Sequence, residues 1–396
     1  MNHSPWLHQL ERTRPVYRLD RPRGEDLVIV GGGIAGITTA AFALLGTKRS
    51  VTLLEATKVA HGATGHNAGQ IVSYFERPPA ELARIFGDKL LADGLRAVAS
   101  GWDLLARLQE RLDLRTPVIS CSGYAGLIEL SGVRAFLRNA HWRAAHGLPM
   151  QPLYVAEEAW ERLRLPAQDQ ALVTRLPRER LLALLETPDP RFIAVEAERK
   201  GVTNSAALCE EIASVLLARF PERFSLHEET PVKEIAFTPR PRITTAGGHA
   251  ICAQTVVLCT NGFESLRLVG NAGTDLDRRF HAAVEGKIGY MAGYLAPPSP
   301  PTAVSYLEHG YEKNDAYVYM TRRPHGDTQT LVCWGGPDKD LPERERYFRH
   351  IPMAPEKERE LRQAVARLRP AERKKAFQYR WHGLMGYTRH GVRLIG

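Results

Sequence analysis

Two glycine-rich stretches near the N-terminus carry the residue types and spacing that could do chemistry. The first, DLVIVGGGIAG, places Gly31, Gly33 and Gly36 in the pattern G-x-G-x-x-G directly after an apolar run. Gly31 permits a tight turn, Gly33 lets the backbone approach a pyrophosphate, and Gly36 lets a helix pack on the strand. Glu55 ends the next apolar run, 19 residues after Gly36, where a carboxylate can accept hydrogen bonds from ribose hydroxyls. These residues predict a βαβ unit that binds a dinucleotide.

The second stretch, HGATGHNAGQ at 61–70, follows soon after the strand that ends at Glu55. Its small side chains leave a bare backbone that can lie against an extended cofactor and donate N–H groups to phosphate and flavin. The stretch therefore favours FAD over NAD. The predicted cofactor contacts in it are Gly62, Ala63, Thr64, His66, Asn67, Ala68, Gly69 and Gln70.

With both motifs, the sequence resembles the D-amino-acid-oxidase superfamily of FAD-dependent oxidoreductases, whose members carry a G-A-[ST]-x-x-N-[AG]-G-type loop at this place. SPWLHQL near the start and VSYFERP after the loop resemble the γ-glutamylputrescine-oxidase-like branch in particular. The resemblance implies an α/β fold (α+β overall), with a Rossmann-like FAD-binding domain and an inserted antiparallel-sheet substrate domain. It also implies cofactor contacts at Val232 and at the turn of Thr260, Asn261 and Gly262.

His66 has two interpretations under this resemblance. In the related dimethylglycine dehydrogenases, a histidine at the matching place is bonded covalently to the flavin. Alternatively, His66 only hydrogen-bonds the cofactor or fills a site that arginine often holds. The sequence leaves both open.

The predicted domain organisation alternates between cofactor and substrate parts. An N-terminal arm (1–25) precedes the FAD-binding domain, which is split between 26–78 and 199–263. A helical lobe (79–198) and a substrate domain (264–376) are inserted, and 377–396 begins a C-terminal FAD-binding segment.

The segment WHGLMGYTRHGVRLIG at 381–396 bears on the substrate. In the superfamily's amino-acid oxidases, an arginine here holds the substrate α-carboxylate with a bidentate hydrogen bond. The matching position in this chain is Met385, which cannot bind a carboxylate, so a substrate without an α-carboxylate is expected. Tyr290, Arg322 and Met385 are the principal pocket candidates, with Tyr319 and Tyr387 beside them.

The predicted function is oxidation of a C–N bond of an amine, such as a γ-glutamylated polyamine, by hydride transfer to FAD. The electron acceptor is oxygen or another compound. An α-amino-acid oxidase is the alternative within the same fold. A flavin-dependent RNA-modifying enzyme and a non-catalytic flavin subunit are the alternatives from other classes.

Composition narrows the partners. The net charge of +9 comes from bases interleaved with acids, without a basic block containing aromatic residues, so no nucleic-acid partner is expected, and a positive field suits an anionic cofactor or substrate equally well. The five cysteines have no metal-ligand spacing and favour reduced thiols in a cytoplasmic protein, with no metal expected. No transmembrane span is expected, because the one apolar run contains the glycine motif.

The end of the sequence generates one more expectation. GVRLIG resembles a strand that, in the superfamily, leads into a Gly-rich turn and a terminal helix near the flavin. Since these do not follow within the 396 residues, we expect a longer gene product and weak FAD binding by this segment alone.

Overall fold

The structure is a computed structural model that describes residues 2–19, 24–262, 266–270, 276–307, 317–336, 338–342 and 345–393. The strands of these ranges are numbered β1 to β18 and the helices α1 to α12 along the chain. The strands form two sheets, and we call the first sheet with its helices the cofactor part and the second with its helices the substrate part, after their predicted roles.

The first sheet has seven strands in the order β12-β9-β10-β11-β1-β2-β8. They are β1 (Gly24–Val30), β2 (Val51–Leu54), β8 (Phe224–His227), β9 (Val232–Ala236), β10 (Arg242–Thr245), β11 (Ala250–Leu258) and β12 (Arg267–Val269). Strand β1 runs parallel to β2 and β11, and β2 runs parallel to β8. The apolar runs flanking the glycine motif therefore form the buried parallel strands that they predict.

The second sheet has eleven strands, in the order β17-β13-β16-β15-β14-β4-β7-β5-β6, with β18 beside β13 and β3 beside β7. They are β3 (Gln70–Ile71), β4 (Ile119–Leu127), β5 (Leu153–Ala156), β6 (Val173–Leu176), β7 (Ala194–Val202), β13 (Val284–Ala296), β14 (Thr302–Leu307), β15 (Tyr317–His325), β16 (Gln329–Gly335), β17 (Lys339–Leu341) and β18 (Tyr379–Thr388). The run β13-β16-β15-β14 is antiparallel throughout. The predicted α/β fold is confirmed, but the second sheet is mixed rather than wholly antiparallel, because β4 runs parallel to β14 and β5 runs parallel to β6.

Helices cover both sheets. They are α1 (Pro5–His8), α2 (Ile34–Gly46), α3 (Pro79–Phe86), α4 (Asp88–Ala99), α5 (Gly101–Leu112), α6 (Leu130–Ala145), α7 (Glu157–Leu163), α8 (Ala167–Gln170), α9 (Arg178–Leu184), α10 (Ser205–Arg219), α11 (Leu276–His281) and α12 (Pro355–Leu368). Helices α2 and α10 share an apolar core with β1 and β2, whereas α6, α7, α9 and α12 share another with the second sheet. The Asn204 side chain caps α10 by accepting hydrogen bonds from the N–H groups of Ala206 and Ala207.

The two faces of the second sheet have different surroundings because side chains alternate along each strand. Ala292, Tyr294 and Met320 point to the core made with α6, α7, α9 and α12. Met291 and Cys333 point to the core of the first sheet. Odd-numbered residues of β13 and β15 therefore face the cofactor part, and even-numbered residues face away from it.

The C-terminal stretch differs from the expectation of a strand at GVRLIG. Strand β18 ends at Thr388, and the Gly391 N–H donates to the Thr388 carbonyl over 2.9 Å, which closes a turn. Gly391 has a φ of +66°, a conformation that glycine tolerates and a strand excludes. Residues 394–396 of the expected strand lie outside the described ranges.

No helix within the described ranges is both long and apolar enough to cross a membrane.

Two glycines of α2 should respond oppositely to substitution by alanine. A Cβ on Gly36 would overlap the Gly31 carbonyl oxygen, whereas one on Gly46 would meet no atom within 4 Å. We expect Gly36→Ala to lower the free energy of unfolding by roughly 1–3 kcal/mol. Gly46→Ala should be neutral or stabilise by up to about 1 kcal/mol, because alanine favours the helix. Denaturant unfolding of both variants measures this, and equal effects would contradict the packing.

Candidate functional site

The start of α2 forms the dinucleotide cradle. Gly31 has a φ of +108°, and a Cβ there would overlap the carbonyl oxygen of Cys259 on the neighbouring strand. The chain can therefore turn into α2 only with glycine at this position. Ile34 and Ala35 are exposed, so the N–H groups of the first helical turn lie at an open surface. Such a helix start binds phosphate through its N–H groups and dipole.

Glu55 and Thr64 bond the backbone of this cradle. The Glu55 carboxylate accepts hydrogen bonds from the N–H groups of Gly32 (2.7 Å) and Thr57 (2.8 Å). The Thr64 hydroxyl accepts one from the Ile34 N–H over 2.9 Å. Because Thr64 belongs to the 61–70 loop, that loop is joined directly to the phosphate-binding turn.

Two other predicted contacts lie at the same end of the first sheet. The N–H of Thr230 donates to the Glu55 carbonyl over 2.9 Å, which places the start of β9, with the half-buried Val232, beside Glu55. Thr260 directly follows Cys259, whose carbonyl oxygen leaves no room for a side chain at Gly31. The Thr260 hydroxyl is buried and has no hydrogen-bond partner within the described ranges.

Asn261 connects this end of the sheet to β18. Its side chain donates to the Leu384 carbonyl (2.9 Å) and accepts from the Gly386 N–H (3.1 Å). Farther along β18, a Cβ on Gly383 would lie 2.5 Å from the His66 carbonyl oxygen. The structure thus brings together the glycine motif, the 61–70 loop, the 260–262 turn and β18.

The residues of the cradle fit a bound FAD. The N-terminus of α2 is accessible, the Glu55 carboxylate lies beside it at the end of β2, and a Cβ on Gly62 would meet no protein atom within 4 Å. The unpartnered Thr260 hydroxyl supplies a polar atom for a ligand.

A cavity of about 380 Å³ lies between the second sheet and helices α3, α4 and α6. Its floor comes from the face of the sheet that looks toward the cofactor part, and the segment Tyr74–Pro79 forms one wall. The charged residues of its lining are Glu76, Arg77, Arg143, Glu196, Glu198, Lys200, Glu285, Lys287, Asp338, Asp340 and Arg389.

Asp338 differs from the other carboxylates of the cavity. Its Oδ1 atom is buried and has no hydrogen-bond partner within the described ranges. Burial raises the pKa of Asp338 to about 6, and the nearby Glu76 adds to the rise. An unpaired carboxylate with a raised pKa in a cleft is the kind of group that binds or deprotonates a substrate.

A second charged group lies on β7. The Lys200 ammonium is almost wholly buried, 3.3 Å from a Glu198 carboxylate oxygen and 3.4 Å from the Ser305 hydroxyl. Burial also raises the pKa of Glu198, although Lys200 opposes the rise. This pair is satisfied internally, in contrast to Asp338.

The predicted pocket residues divide between the two faces of the sheet. Tyr387 lines the cavity, and Met385 contacts Gly289 near Asp338. Tyr319 faces the same side, where its ring fills the space that a side chain on residue 335 would need.

Tyr290 and Arg322 have even-numbered positions and point to the opposite face, away from the cavity. Both guanidinium Nη atoms of Arg322 bond to Glu186 at 2.7 Å, and the Tyr290 ring packs near that of His382. The structure does not bring these two side chains to the cavity.

Sequence reasoning missed Asp338, Lys200 and Tyr317, all of which line the cavity. One signal was present. The stretch EAERK places charges at 196, 198 and 200, which alternation puts on one face of a strand. A strand with consecutive charges on its inward face indicates a polar cavity.

His66 should make stability depend on pH. The ring is buried, its Nδ1 lies 2.9 Å from the Gly62 carbonyl, and burial lowers its pKa to about 4. The unfolded chain binds this proton near pH 6.5 and the folded chain does not, so stability falls as the pH drops from 6.5 to 4. The loss should approach roughly 3 kcal/mol. Unfolding of His66→Gln against pH should show a smaller loss, with exposed His141→Gln as control, and identical slopes would contradict this.

Comparison with known proteins agrees with this geometry. Residues 26–396 match the family model described as FAD dependent oxidoreductase (DAO). A putative Rieske 2Fe-2S iron-sulfur protein of Bacillus subtilis (strain 168) is 24% identical over 298 residues, which are 73% of this chain and 50% of that protein. The chain therefore spans about half the length of this curated relative.

Solved structures share the fold. Glycine oxidase from Geobacillus kaustophilus matches with a TM-score of 0.58 at 18% identity, covering 94% of this chain and 85% of that one. FAD-bound L-alpha-glycerophosphate oxidase from Mycoplasma pneumoniae matches with a TM-score of 0.61 at 14% identity, covering 93% and 84%. Since the family model covers nearly the whole chain and the cradle fits its cofactor, the chain belongs to the DAO family of FAD-dependent oxidoreductases.

Proposed function

We propose that this chain oxidises a CH–NH bond of a small amine, and that the amine binds in the cavity against Asp338. The observation that carries the proposal is the buried Asp338 Oδ1 atom, which has no partner within the described ranges. A buried carboxylate without a hydrogen bond is costly, and a substrate ammonium would satisfy it.

Asp338 can also take the proton that the substrate must lose. Alkylamines arrive as ammonium ions near neutral pH, because their pKa values lie near 10. Hydride can leave the carbon only once the nitrogen carries a free electron pair. With a pKa of about 6, the Asp338 carboxylate is ionised at neutral pH, and its Oδ1 can accept the ammonium proton.

Two tyrosines and one glycine prepare the surroundings of Asp338. Burial raises the pKa values of Tyr317 and Tyr387, so both hydroxyls stay protonated. The Tyr387 hydroxyl donates to Met385 Sδ over 3.9 Å, and that of Tyr317 can donate a hydrogen bond into the cavity. A Cβ on Gly289 would lie 3.3 Å from Asp338 Oδ1, so glycine there leaves room beside the carboxylate.

FAD, when bound, supplies the acceptor for the hydride. The chain's own part is to hold it through the α2 cradle, Glu55 and the 61–70 loop. Helices α3, α4 and α6 cover the cavity floor and limit the access of water to the reacting bond.

The extent of the cavity supports a substrate longer than a simple monoamine. Its lining runs across the sheet from Tyr317 on β15, through β14 and β4, to Lys200 on β7. The distance from β15 to β7 is three strand spacings, or roughly 14 Å. Asp338, just before β17, lies on the other side of Tyr317 and extends this length. Arg143, which lines the far end, could bind a carboxylate there. A γ-glutamylated polyamine, with an amine at one end and an amino-acid group at the other, has this form.

An α-amino acid is the second candidate. Lys287 lines the cavity and pairs with Met385 across the β13–β18 ladder. Met385 occupies the position that holds the carboxylate-binding arginine in the superfamily's amino-acid oxidases. A carboxylate could therefore meet a lysine here. However, the Lys287 ammonium lies 3.2 Å from Asp340, so it already has a counter-ion.

The electron acceptor and the cellular location stay predictions. The relative named as an iron–sulfur protein makes a non-oxygen acceptor as reasonable to test as oxygen. All five cysteines are free thiols, which is compatible with the predicted cytoplasmic location.

Anaerobic reduction of the bound flavin tests the proposed function. The protein is mixed with monoamines, diamines, γ-glutamylated diamines and neutral D- and L-amino acids, and the visible absorbance of the flavin is followed. Amines should bleach it, and γ-glutamylated diamines should do so at the lowest concentration. Faster bleaching by simple amino acids would replace the first candidate with the second.

Asp338→Asn should raise the KM for the best amine by about ten- to a hundredfold, because a charge-assisted hydrogen bond is lost. The matched control is Asp327→Asn, the same change in an exposed turn of the same lobe. Steady-state kinetics of both variants measures the effect. Equal KM values for the two would remove Asp338 from the site.

The pH profile gives an independent check on Asp338. In the parent protein, kcat/KM should rise as the pH increases through about 6, since the carboxylate must be ionised to bind and deprotonate the amine. In Asp338→Asn this inflection should disappear. Its persistence would assign the titration to another group.

Glu55→Gln should weaken FAD binding by roughly ten- to a hundredfold, because the carboxylate loses its charge at the ribose position. Its two N–H partners, on Gly32 and Thr57, would keep an amide oxygen as acceptor. Fluorescence titration with FAD measures the effect, with the exposed Glu222→Gln as control. Retention of parental affinity would show that Glu55 serves the fold alone.

A further inference from the structure

The N-terminal arm, residues 2–19, lies outside the residues that match the family model, yet it packs on the cofactor loop. Trp6 is 1% exposed, and its indole N–H donates to the Asn67 carbonyl over 2.7 Å. Trp381 on β18 donates to the same carbonyl over 3.2 Å, with the two rings edge to face at 6.2 Å. The arm and the last described strand thus hold one backbone atom of the loop.

The shape of the loop depends on the arm. A Cβ on Gly69, whose φ is +68°, would lie 2.6 Å from the Trp6 ring, and one on Gly65 would overlap the Ala60 carbonyl oxygen and lie 2.8 Å from the Leu7 side chain. Gly62, by contrast, has open space around its Cβ position. Glycine at 65 and 69 therefore leaves room for the arm to pack on the loop. Glycine at 62 has open space beside it, where the predicted cofactor can approach the backbone.

The arm also reaches the other flank of the loop through an ion network. Arg12 and Arg14 pair with Glu228, whose side chain is fully buried, and Arg14 pairs with Glu210 as well. Glu228 Oε1 accepts the Val59 N–H over 2.7 Å, just before the loop begins. The arginines hold the pKa of Glu228 at about 2, against the effect of burial, so this network stays ionised at neutral pH.

We infer that the arm is a clamp for FAD, so that docking of the arm and binding of the cofactor stabilise each other. The inference rests on FAD binding, which the family shows, and does not depend on the identity of the substrate. Trp6 acts as a positioning residue through the Asn67 carbonyl. By thermodynamic linkage, if the docked arm tightens FAD binding, FAD must hold the arm in its docked position by the same factor.

Trp6→Phe tests the first half of this coupling, since it keeps an aromatic ring and removes the indole donor. We expect the FAD dissociation constant to rise about three- to tenfold, as for loss of one hydrogen bond. The control is Trp142→Phe, which loses an indole hydrogen bond of equal length (2.7 Å, to Asp88) in the other lobe. Equal FAD affinity of the two variants would overturn the inference.

Trypsin cleavage of the parent protein tests the second half without any substitution. Arg12 and Arg18 are cleavage sites within the arm, and the exposed Lys374 is a reference site away from it. FAD at saturating concentration should slow cleavage after Arg12 and Arg18, followed by mass spectrometry, and leave cleavage after Lys374 unchanged. This protection should be smaller in Trp6→Phe.

Three results would overturn the inference: an arm that is cut at the same rate with and without FAD, protection that is equal in Trp6→Phe, or a parent protein that binds no FAD. These readouts involve no amine substrate. Failure of the substrate proposal would therefore leave them unaffected, and failure of the clamp would leave the amine panel interpretable.

Discussion

The carbonyl of Asn67, shared by the indole N–H groups of Trp6 and Trp381, is the contact on which the rest of the site depends. It fixes the middle of the 61–70 loop between the N-terminal arm and β18. The same loop is hydrogen-bonded to the predicted phosphate-binding turn, because the Thr64 hydroxyl accepts the Ile34 N–H. It is also hydrogen-bonded to the second sheet, because the Ala68 carbonyl accepts a hydrogen bond from the Thr321 hydroxyl. This short segment therefore contacts both the cofactor part and the substrate part, alongside the hydrogen bonds of Asn261 to β18.

The second constraint is the alternation of side chains along the second sheet. It assigns one face to the apolar core under α12 and the other to the cofactor part, and it decides which polar residues can meet a substrate. On the first face, Arg322 is neutralised by Glu186. On the second, Asp338 has an oxygen without a partner within the described ranges. The difference between a satisfied ion pair and an unsatisfied carboxylate separates a structural charge from a candidate substrate-binding group.

The cofactor cradle could be predicted from the sequence because its determinants are local. Gly31, Gly36 and Glu55 act through turn geometry, helix packing and the end of an adjacent strand, all within one βαβ unit. The glycines of the 61–70 loop were only partly understood, since Gly65 and Gly69 also make room for an arm some sixty residues away in the chain, beside the local limits of the Ala60 carbonyl and of a positive φ at Gly69.

The substrate cavity could not be predicted in the same way. Whether Arg322 or Asp338 reaches it depends on strand register and on which face each residue occupies, and both follow from long-range pairing. Met385 was located near the cavity by resemblance. Lys200 was overlooked because lysine is rarely buried without a partner, and its 3.3 Å contact with Glu198 is seen only in the fold.

The central claim is that one face of the second sheet presents a substrate amine to FAD held by the 61–70 loop. A crystal structure of the FAD complex with a bound, non-oxidisable amine tests it most directly. The account predicts the amine nitrogen within hydrogen-bonding distance of the Asp338 carboxylate, with the flavin in contact with the loop that carries His66 and Asn67. An amine bound on the opposite face, beside Arg322 and Glu186, or a flavin remote from that loop would contradict it.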